Sequence, residues 1–464
     1  MEPVPTTDEP ISPLSPEVAT RTFHQLLVNT LVSGVSSSFL WFALTFWVYL
    51  ETRSVVATGV IGGAFMIASA VLGPVVGTYV DRHRKLHVMR VTTALSAACF
   101  GLATVVFVSF PKGDLLDMTS PWFWALVLLT LFGSVAGNLR HIAMSTLVTL
   151  LVPADRRDRA NGMVGTVSGI SFAITSVFSG LVIGMLGMGW AYGITLVLTA
   201  IALGHLFLVE VPEPEIVHDP DAAKGFVDVR GALDAIGEVP GLWLLIGLAA
   251  FNNLLGGVFM ALMDAYGLEL VSVEAWGLLW GGLSFGFILG GLAVARFGLG
   301  PVPVRTIVVA NLINWTACAV MALRPSIVLL AGGTLVWILL MPVIEASEQT
   351  VLQRAIPFER QGRVFGFAQL VENAASPVTA FMVAPVAEAV VIPFMTDGWG
   401  AATIGDWYGT GVGRGIGLMF TVAGLIGIVV TLAVMRSRSY RVLVASTTAD
   451  PSADEKSPVA VLED

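Results

Sequence analysis

Twelve times along the chain, a run of some twenty or more mostly apolar residues is closed off by a short polar or charged stretch. The runs fall at 23–50, 56–79, 88–109, 122–151, 162–187, 189–210, 241–266, 274–297, 302–323, 326–351, 364–394 and 413–435. A helix of about 20 apolar residues crosses the hydrocarbon of a bilayer. The pattern therefore predicts twelve transmembrane helices, the longer of which tilt or extend beyond the hydrocarbon. Basic residues set the orientation. With the N-terminus in the cytosol, 19 of the 24 lysines and arginines fall in cytosolic segments. Four (Arg53, Lys112, Arg324 and Arg414) fall outside, and Arg140 lies within the fourth run. Both termini are expected to be cytosolic, in a multi-pass protein of the cytoplasmic membrane.

The polar breaks carry a repeat. Between runs four and five the chain reads VPADRRDRANG, and between runs ten and eleven it reads IPFERQGRVFG. Pro153, Asp155, Arg156, Arg159 and Gly162 recur 204 positions later as Pro357, Glu359, Arg360, Arg363 and Gly366. A weaker echo pairs GTYVDRH with GLAVARF, placing Arg82 and Arg296 214 positions apart. The fold class is thus an all-α membrane protein with two pseudo-symmetric six-helix halves, residues 22–210 and 241–436. A cytosolic linker, 211–240, joins them. Its end, FVDVRGALDAIG, has apolar residues at helical spacing and reads as a surface helix. The tails 1–21 and 437–464 are rich in Pro, Ser, Asp and Glu and read as disordered. The first has no basic stretch before a short apolar core, so no cleaved secretion signal is expected.

Composition narrows the class. The chain is 55% hydrophobic and 12% charged, against about 25% charged in a soluble domain, and its mean hydropathy is +0.83. That balance excludes a soluble protein and leaves no basic surface for nucleic acid. Cys99 and Cys318 both sit in apolar runs and read as packing residues, with no metal site implied. GLSFG at 282–286 has the spelling of a nucleophile elbow but lies inside a span, where Gly282, Gly286 and Gly290 make a helix-packing face. GTGVGRGIG at 409–417 lacks the setting of a phosphate loop and reads as an outer loop, with Trp399, Trp407 and Tyr408 as interfacial aromatics. No ATP-binding module is present, and nothing points to an enzyme.

Two duplicated six-helix halves suit a carrier whose site faces either side as the halves rock. The loop GTYVDRHRK, with Gly77, Asp81, Arg82 and Lys85, resembles the loop signature of the major facilitator superfamily, and the resemblance covers residues 20–440. The general texture resembles the branch of drug, macrolide and enterobactin exporters. Arg84 stands where the family usually has a Gly, Ala295 replaces the Asp in the second half, and the fifth run lacks the Gly-Pro pair common in exporters. Asp81 and Arg82 lie where a helix meets the cytosol. With Gly77, Lys85, Arg159 and Arg363 they form a candidate conformational latch, or else a plain basic anchor. Gly73 and Gly77 allow close approach of a neighbouring helix.

The resemblance implies that the first, fourth, seventh and tenth helices line a cavity. These offer Asn29, Ser33, Ser37, Trp41 and Phe42; Asn138, Arg140 and His141; Asn252 and Asn253; and Trp337, Glu345 and Glu348. The eleventh adds Glu372 and Asn373. Polar groups within spans are costly and so are functional candidates. Asn252 and Asn253 can instead brace helices. Glu345 and Glu348 can form an ion-pair cluster with Arg354 or Arg363. Arg140 lies roughly 18 Å and Glu372 roughly 14 Å from the cytosolic ends of their helices at the helical rise, which invites a mid-membrane pair. The function expected is proton-coupled export of small, largely apolar, drug-like compounds by alternating access. The partners are the bilayer and the transported compound, the protein is a monomer, and no cofactor is needed beyond a proton gradient. Alternatives are a siderophore or lipid-like metabolite exporter, a proton-coupled importer, and a non-transporting receptor.

Overall fold

The structure, a computed structural model, describes residues 15–52, 55–211, 213 and 227–448. Among them no strand occurs, and twelve helices are long and apolar enough to cross a membrane. In chain order they are α1 (Pro16–Thr52), α2 (Val55–Arg82), α3 (Lys85–Ser109), α4 (Pro121–Leu151), α5 (Arg157–Met185) and α6 (Met188–Leu208) in the first half. The second half has α7 (Leu242–Leu270), α8 (Val273–Phe297), α9 (Pro303–Met321), α10 (Ile327–Ala355), α11 (Gln361–Val386) and α12 (Val412–Arg436). Their starts are written in the sequence. Ser120, Ser272 and Ser326 each cap a helix by accepting a backbone N–H in its first turn. Leu208, Val108 and Phe381 face outward from the bundle as hydrocarbon-facing residues would.

The repeated phrase folds the same way twice. Ala154–Arg156 and Phe358–Arg360 are single 3-10 turns leading into α5 and α11. Arg156 has φ −118° and ψ 0°, and Arg360 has φ −116° and ψ 0°. Arg159 and Arg363 are each the third residue of the helix that follows, as the two-half reading requires.

An even number of spans puts both chain ends and the arginine-rich loops on one face, here called the basic face. The two halves meet there and separate toward the other side. One apolar core runs through both halves near the basic face, including Val80, Leu147, Ala160, Val351 and Val364. Toward the opposite face each half has a core of its own, around Phe123 and Tyr192 in the first and around Phe259 and Phe420 in the second. Glycines show the same split. Near the basic face, a Cβ on Gly77 would collide with the carbonyl of Gly362, and one on Gly162 with the backbone of Ala295. Toward the opposite face, Gly62, Gly63, Gly180, Gly184, Gly281 and Gly282 have nothing within 4 Å of a Cβ.

Several expected boundaries move. Residues 16–21 begin α1, and Arg438–Thr448 form a further helix, so those parts of the two tails are ordered. The latter helix packs under the start of α7, where Gly241, at φ +88°, lies against Ser439 and Leu443. The predicted linker helix is present at Val229–Glu238. Residues 1–14, 214–226 and 449–464 lie outside the described residues. Most of the glycine-rich stretch at 409–417 is helical, because α12 starts at Val412. Trp399 and Trp407 are exposed as expected of interfacial aromatics, but Tyr408 is buried. Burial pushes its phenol up in pKa, and Arg414 lies over its ring at 4.0 Å. Arg414 is itself buried, donating to the carbonyls of Tyr408, Ala322 and Leu323.

Candidate functional site

At the basic face, α2 packs against α11 through glycine. Gly73 and Gly77 lie against Gly362 and Gly366, close enough that any side chain would strike backbone. This brings Asp81, in the last turn of α2, onto the start of α11. Its Oδ1 accepts from Gly362 N at 2.6 Å, and its Oδ2 accepts from Arg363 N and Nε, each at 2.9 Å. The helix N-terminus and the guanidinium thus compensate a carboxylate whose side chain is 2% exposed. The far side of the guanidinium donates to Asp228 Oδ2 at 2.7 Å. Asp228 caps the linker helix through Gly231 N, and its own N–H donates to Thr78 Oγ1 on α2. The result is a buried Asp81–Arg363–Asp228 lock joining both halves and the linker. Lys85 adds to it, its ammonium 4.7 Å from the centre of the Phe358 ring across the interface. Arg82 ends α2 as its last basic residue.

Neutral contacts reinforce the closure. Thr149 Oγ1 donates to Gln361 Oε1, Asn161 Nδ2 donates to Thr350 Oγ1 and Gln353 Oε1, and Gln353 Nε2 donates to the carbonyl of Ser145. The pseudo-equivalent pair, α5 with α8, approaches closely at Gly162 and Gly291 but carries no ionic lock. Arg159 stands beside Gly298, and no carboxylate pairs with it among the described residues.

Beyond the lock lies a cavity of about 650 Å³ between the halves. Its walls come from α4 and from α7 to α11. Trp280, Trp315 and Trp337 supply most of its aromatic surface, and Asp264, Glu345, Glu348 and Glu372 supply acid, with no lysine or arginine on the wall. Glu348 and Glu372 line the same wall from neighbouring helices, α10 and α11. Glu345 is exposed and lines this cavity. The ion-pair cluster expected for Glu345 and Glu348 is therefore corrected. They face the cavity, and Arg363 is engaged by Asp81 and Asp228 instead.

Asn252 and Asn253 reach the cavity wall and also brace helices. Asn252 binds Asn311 and Trp315 on α9, and the carbonyl of Asn253 accepts from Ser376 on α11. Asn138 and Arg140 line a smaller chamber of about 280 Å³ in the first half, which shares His141, Ser145, Glu345 and Gln349 with the main cavity. The Arg140–Glu372 pair is not made. Arg140 Nη2 donates to Asn29 Oδ1 and Nη1 to Thr93 Oγ1, inside its own half, while Glu372 lies on the wall of the main cavity. Trp41 is on neither wall; it stacks on Phe65 at 4.7 Å.

Sequence reasoning missed Asp228, Trp280 and Trp315. Asp228 carried a signal, since Asp before a helical stretch is a common cap, but nothing in the sequence named its ionic partner. The two tryptophans lie on α8 and α9, outside the helices that the family resemblance put on the cavity wall.

Residues 26–380 match the family model of the Major Facilitator Superfamily. Macrolide efflux protein A of Streptococcus pyogenes is 19% identical over 388 residues, covering 79% of this chain and 90% of the relative. Among solved structures, a bacterial homologue of the iron transporter ferroportin in its outward-facing state superposes with a TM-score of 0.67 at 16% identity, covering 90% of this chain and all of that one. A proton:xylose symporter superposes with a TM-score of 0.60 at 12% identity, over 90% of this chain and 96% of that one.

Proposed function

This chain belongs to the major facilitator superfamily and is a multi-pass membrane transporter rather than an enzyme, and we propose that it exports small, largely apolar compounds from the cytosol in exchange for protons. The observation that carries the reading is the pair Glu348 and Glu372 on one wall of an aromatic cavity whose lining holds no lysine or arginine. Two carboxyl groups on one wall without a basic partner resist ionising together, so one of them favours keeping a proton. The pair is thus a place where a proton can be held between the halves and given up as the walls rearrange. Trp280, Trp315 and Trp337 offer broad apolar faces that suit the ring system of a largely apolar compound.

The split of basic residues supports a cytosolic basic face. The structure is then the outward-open state, closed to the cytosol by the Asp81–Arg363–Asp228 lock. The cycle requires the lock to open so that the cavity faces the cytosol, and to re-form as the compound leaves on the other side. The name of the macrolide efflux relative supports the outward direction. The energy source is the proton gradient, with no cofactor.

The test uses the purified protein in proteoliposomes with labelled apolar drugs, under an imposed pH gradient and then a sodium gradient. We expect movement driven by the pH gradient and opposite to proton flow. Glu372→Gln is expected to slow it at least tenfold with drug binding retained. Wild-type rates and wild-type proton movement in Glu372→Gln, or driving by sodium alone, would falsify the proposal.

A further inference from the structure

We infer that the chamber in the first half is a second subsite of the transport cavity, and that it takes an oxyanion of the transported molecule, such as a carboxylate, on Arg140. The inference rests on the reading of the central cavity as the substrate path. Arg140 sits midway along α4 and is 2% exposed. Its two described hydrogen-bond partners, Asn29 Oδ1 and Thr93 Oγ1, are neutral, and no carboxylate pairs with it among the described residues. Its Nε–H has no partner. A guanidinium at that depth is costly, and buried charges are ordinarily paired.

Two more orphan groups line the same chamber. Thr30 Oγ1 and Gln349 Oε1 are buried without hydrogen-bond partners. Arg140 Nε–H and the Thr30 hydroxyl can donate to an oxyanion, while Gln349 Oε1 accepts and calls for a water beside it; such orphans around about 280 Å³ are the pattern left when a ligand or ordered water completes them. The chamber opens onto the aromatic cavity through the shared wall of His141, Ser145, Glu345 and Gln349. A molecule with an apolar ring system and a short anionic arm can therefore lie in both, rings against Trp280 and Trp337 and arm toward Arg140. Planar carboxylates match a guanidinium in shape and charge. The neutral donors Asn138, Ser168 and Ser171 on the chamber wall can complete the oxyanion's shell.

The experiment is calorimetric titration of the purified full chain with indole-3-acetate, indole-3-acetamide and tryptamine, which share a ring and differ in the charge of the arm. No gradient is applied. Failure here would thus leave drug movement driven by a pH gradient untouched, and failure of that movement would leave this result standing. The carboxylate is expected to bind at least tenfold more tightly than the amide or the amine, as the loss of one charged hydrogen-bonded partner implies. Arg140→Gln should abolish that preference while leaving amide binding within about twofold. Should Arg140→Gln fail to fold, Ser168→Leu carries the test. Ser168 is exposed to the chamber, so leucine fills that space and keeps either arm from Arg140, and the preference for the carboxylate over the amide should fall to about twofold or less. No preference for the carboxylate in the wild type, a chamber that holds water only, or a preference that survives both variants would overturn the inference.

Discussion

The interface of α2 with α11 and the interface of α5 with α8 are the same contact written twice, and they are closed by different means. Both bring backbones together through glycine, Gly77 with Gly362 in the first and Gly162 with Ala295 in the second. Only the first has a lock. Asp81 meets Arg363 there, whereas Ala295 stands in the place of Asp81 and leaves Arg159 without a paired acid among the described residues. In place of a lock, Asp158 of α5 accepts from Leu299 N at 3.1 Å, tying α5 to the turn after α8. Close approach is therefore the part of the duplicated design that both copies need, because the halves must seal. The ionic lock is an addition to one copy, and we propose that it sets how long the seal lasts. The linker joins the copy that has the lock, through Asp228.

The largest expected effect breaks the approach itself. Gly77→Val places methyl groups where the Gly362 carbonyl stands, and neither backbone can yield without separating α2 from α11. Transport should fall at least tenfold, and spin labels on the two halves at the basic face should move apart. Gly62→Val on the same helix meets nothing within 4 Å and should transport at close to the wild-type rate. Equal damage from both variants would mean that helix propensity, not the seal, was being measured.

Asp81→Asn leaves the approach intact and removes the lock. Removing one partner of a buried ion pair costs about 3–5 kcal/mol when the other charge is stranded. Here Arg363 keeps Asp228, so the loss is smaller. We expect a well-inserted protein with transport slowed about tenfold, a bias of about 1.4 kcal/mol toward the state open at the basic face, and compound binding changed only about twofold. Normal transport by purified Asp81→Asn would show that the lock is merely an anchor.

Much of this architecture was legible because the bilayer and the repeat are strong constraints. Twelve long apolar runs, the offset of 204 between Arg159 and Arg363 and the glycines beside Asp81 fix the halves and the place where they meet. The partners were harder. Arg363 stood out as a repeated arginine, but that its acid is Asp81, 282 positions away, follows only from the α2–α11 contact. The same limit explains the failed Arg140–Glu372 pair. Depth along a helix can be counted from sequence, while rotation about its axis decides whether Arg140 meets Asn29 of α1 or a residue across the cavity. Glu348 and Glu372 were both visible as intramembrane acids, and their meeting on one cavity wall was not, because it depends on how α10 and α11 are rotated against each other. Trp41 shows the converse. The right helix supplied the residue, and its rotation turned the ring onto Phe65.

The smallest effect tests whether the second copy can be given what it lacks. Ala295 occupies the place of Asp81, Arg159 occupies the place of Arg363, and Gly162 already lies against the backbone of Ala295. An aspartate at 295 would therefore enter an interface with a basic group nearby and no acid yet paired to it. The gain should be less than that of the natural lock. Asp158 already holds Leu299, there is no counterpart of Asp228 among the described residues, and burying a new carboxylate carries a desolvation cost. We expect Ala295→Asp alone to slow transport about two- to threefold, because the seal at the basic face opens less often. Combined with Asp81→Asn, the same change should raise transport above that of Asp81→Asn alone, by about twofold, because the seal regains an ionic contact on its other side. Both results can be read from transport rates and from label distances at the basic face. If the double variant is as slow as Asp81→Asn, the two interfaces are not interchangeable holders of one seal, and the lock acts through the linker and Asp228 instead.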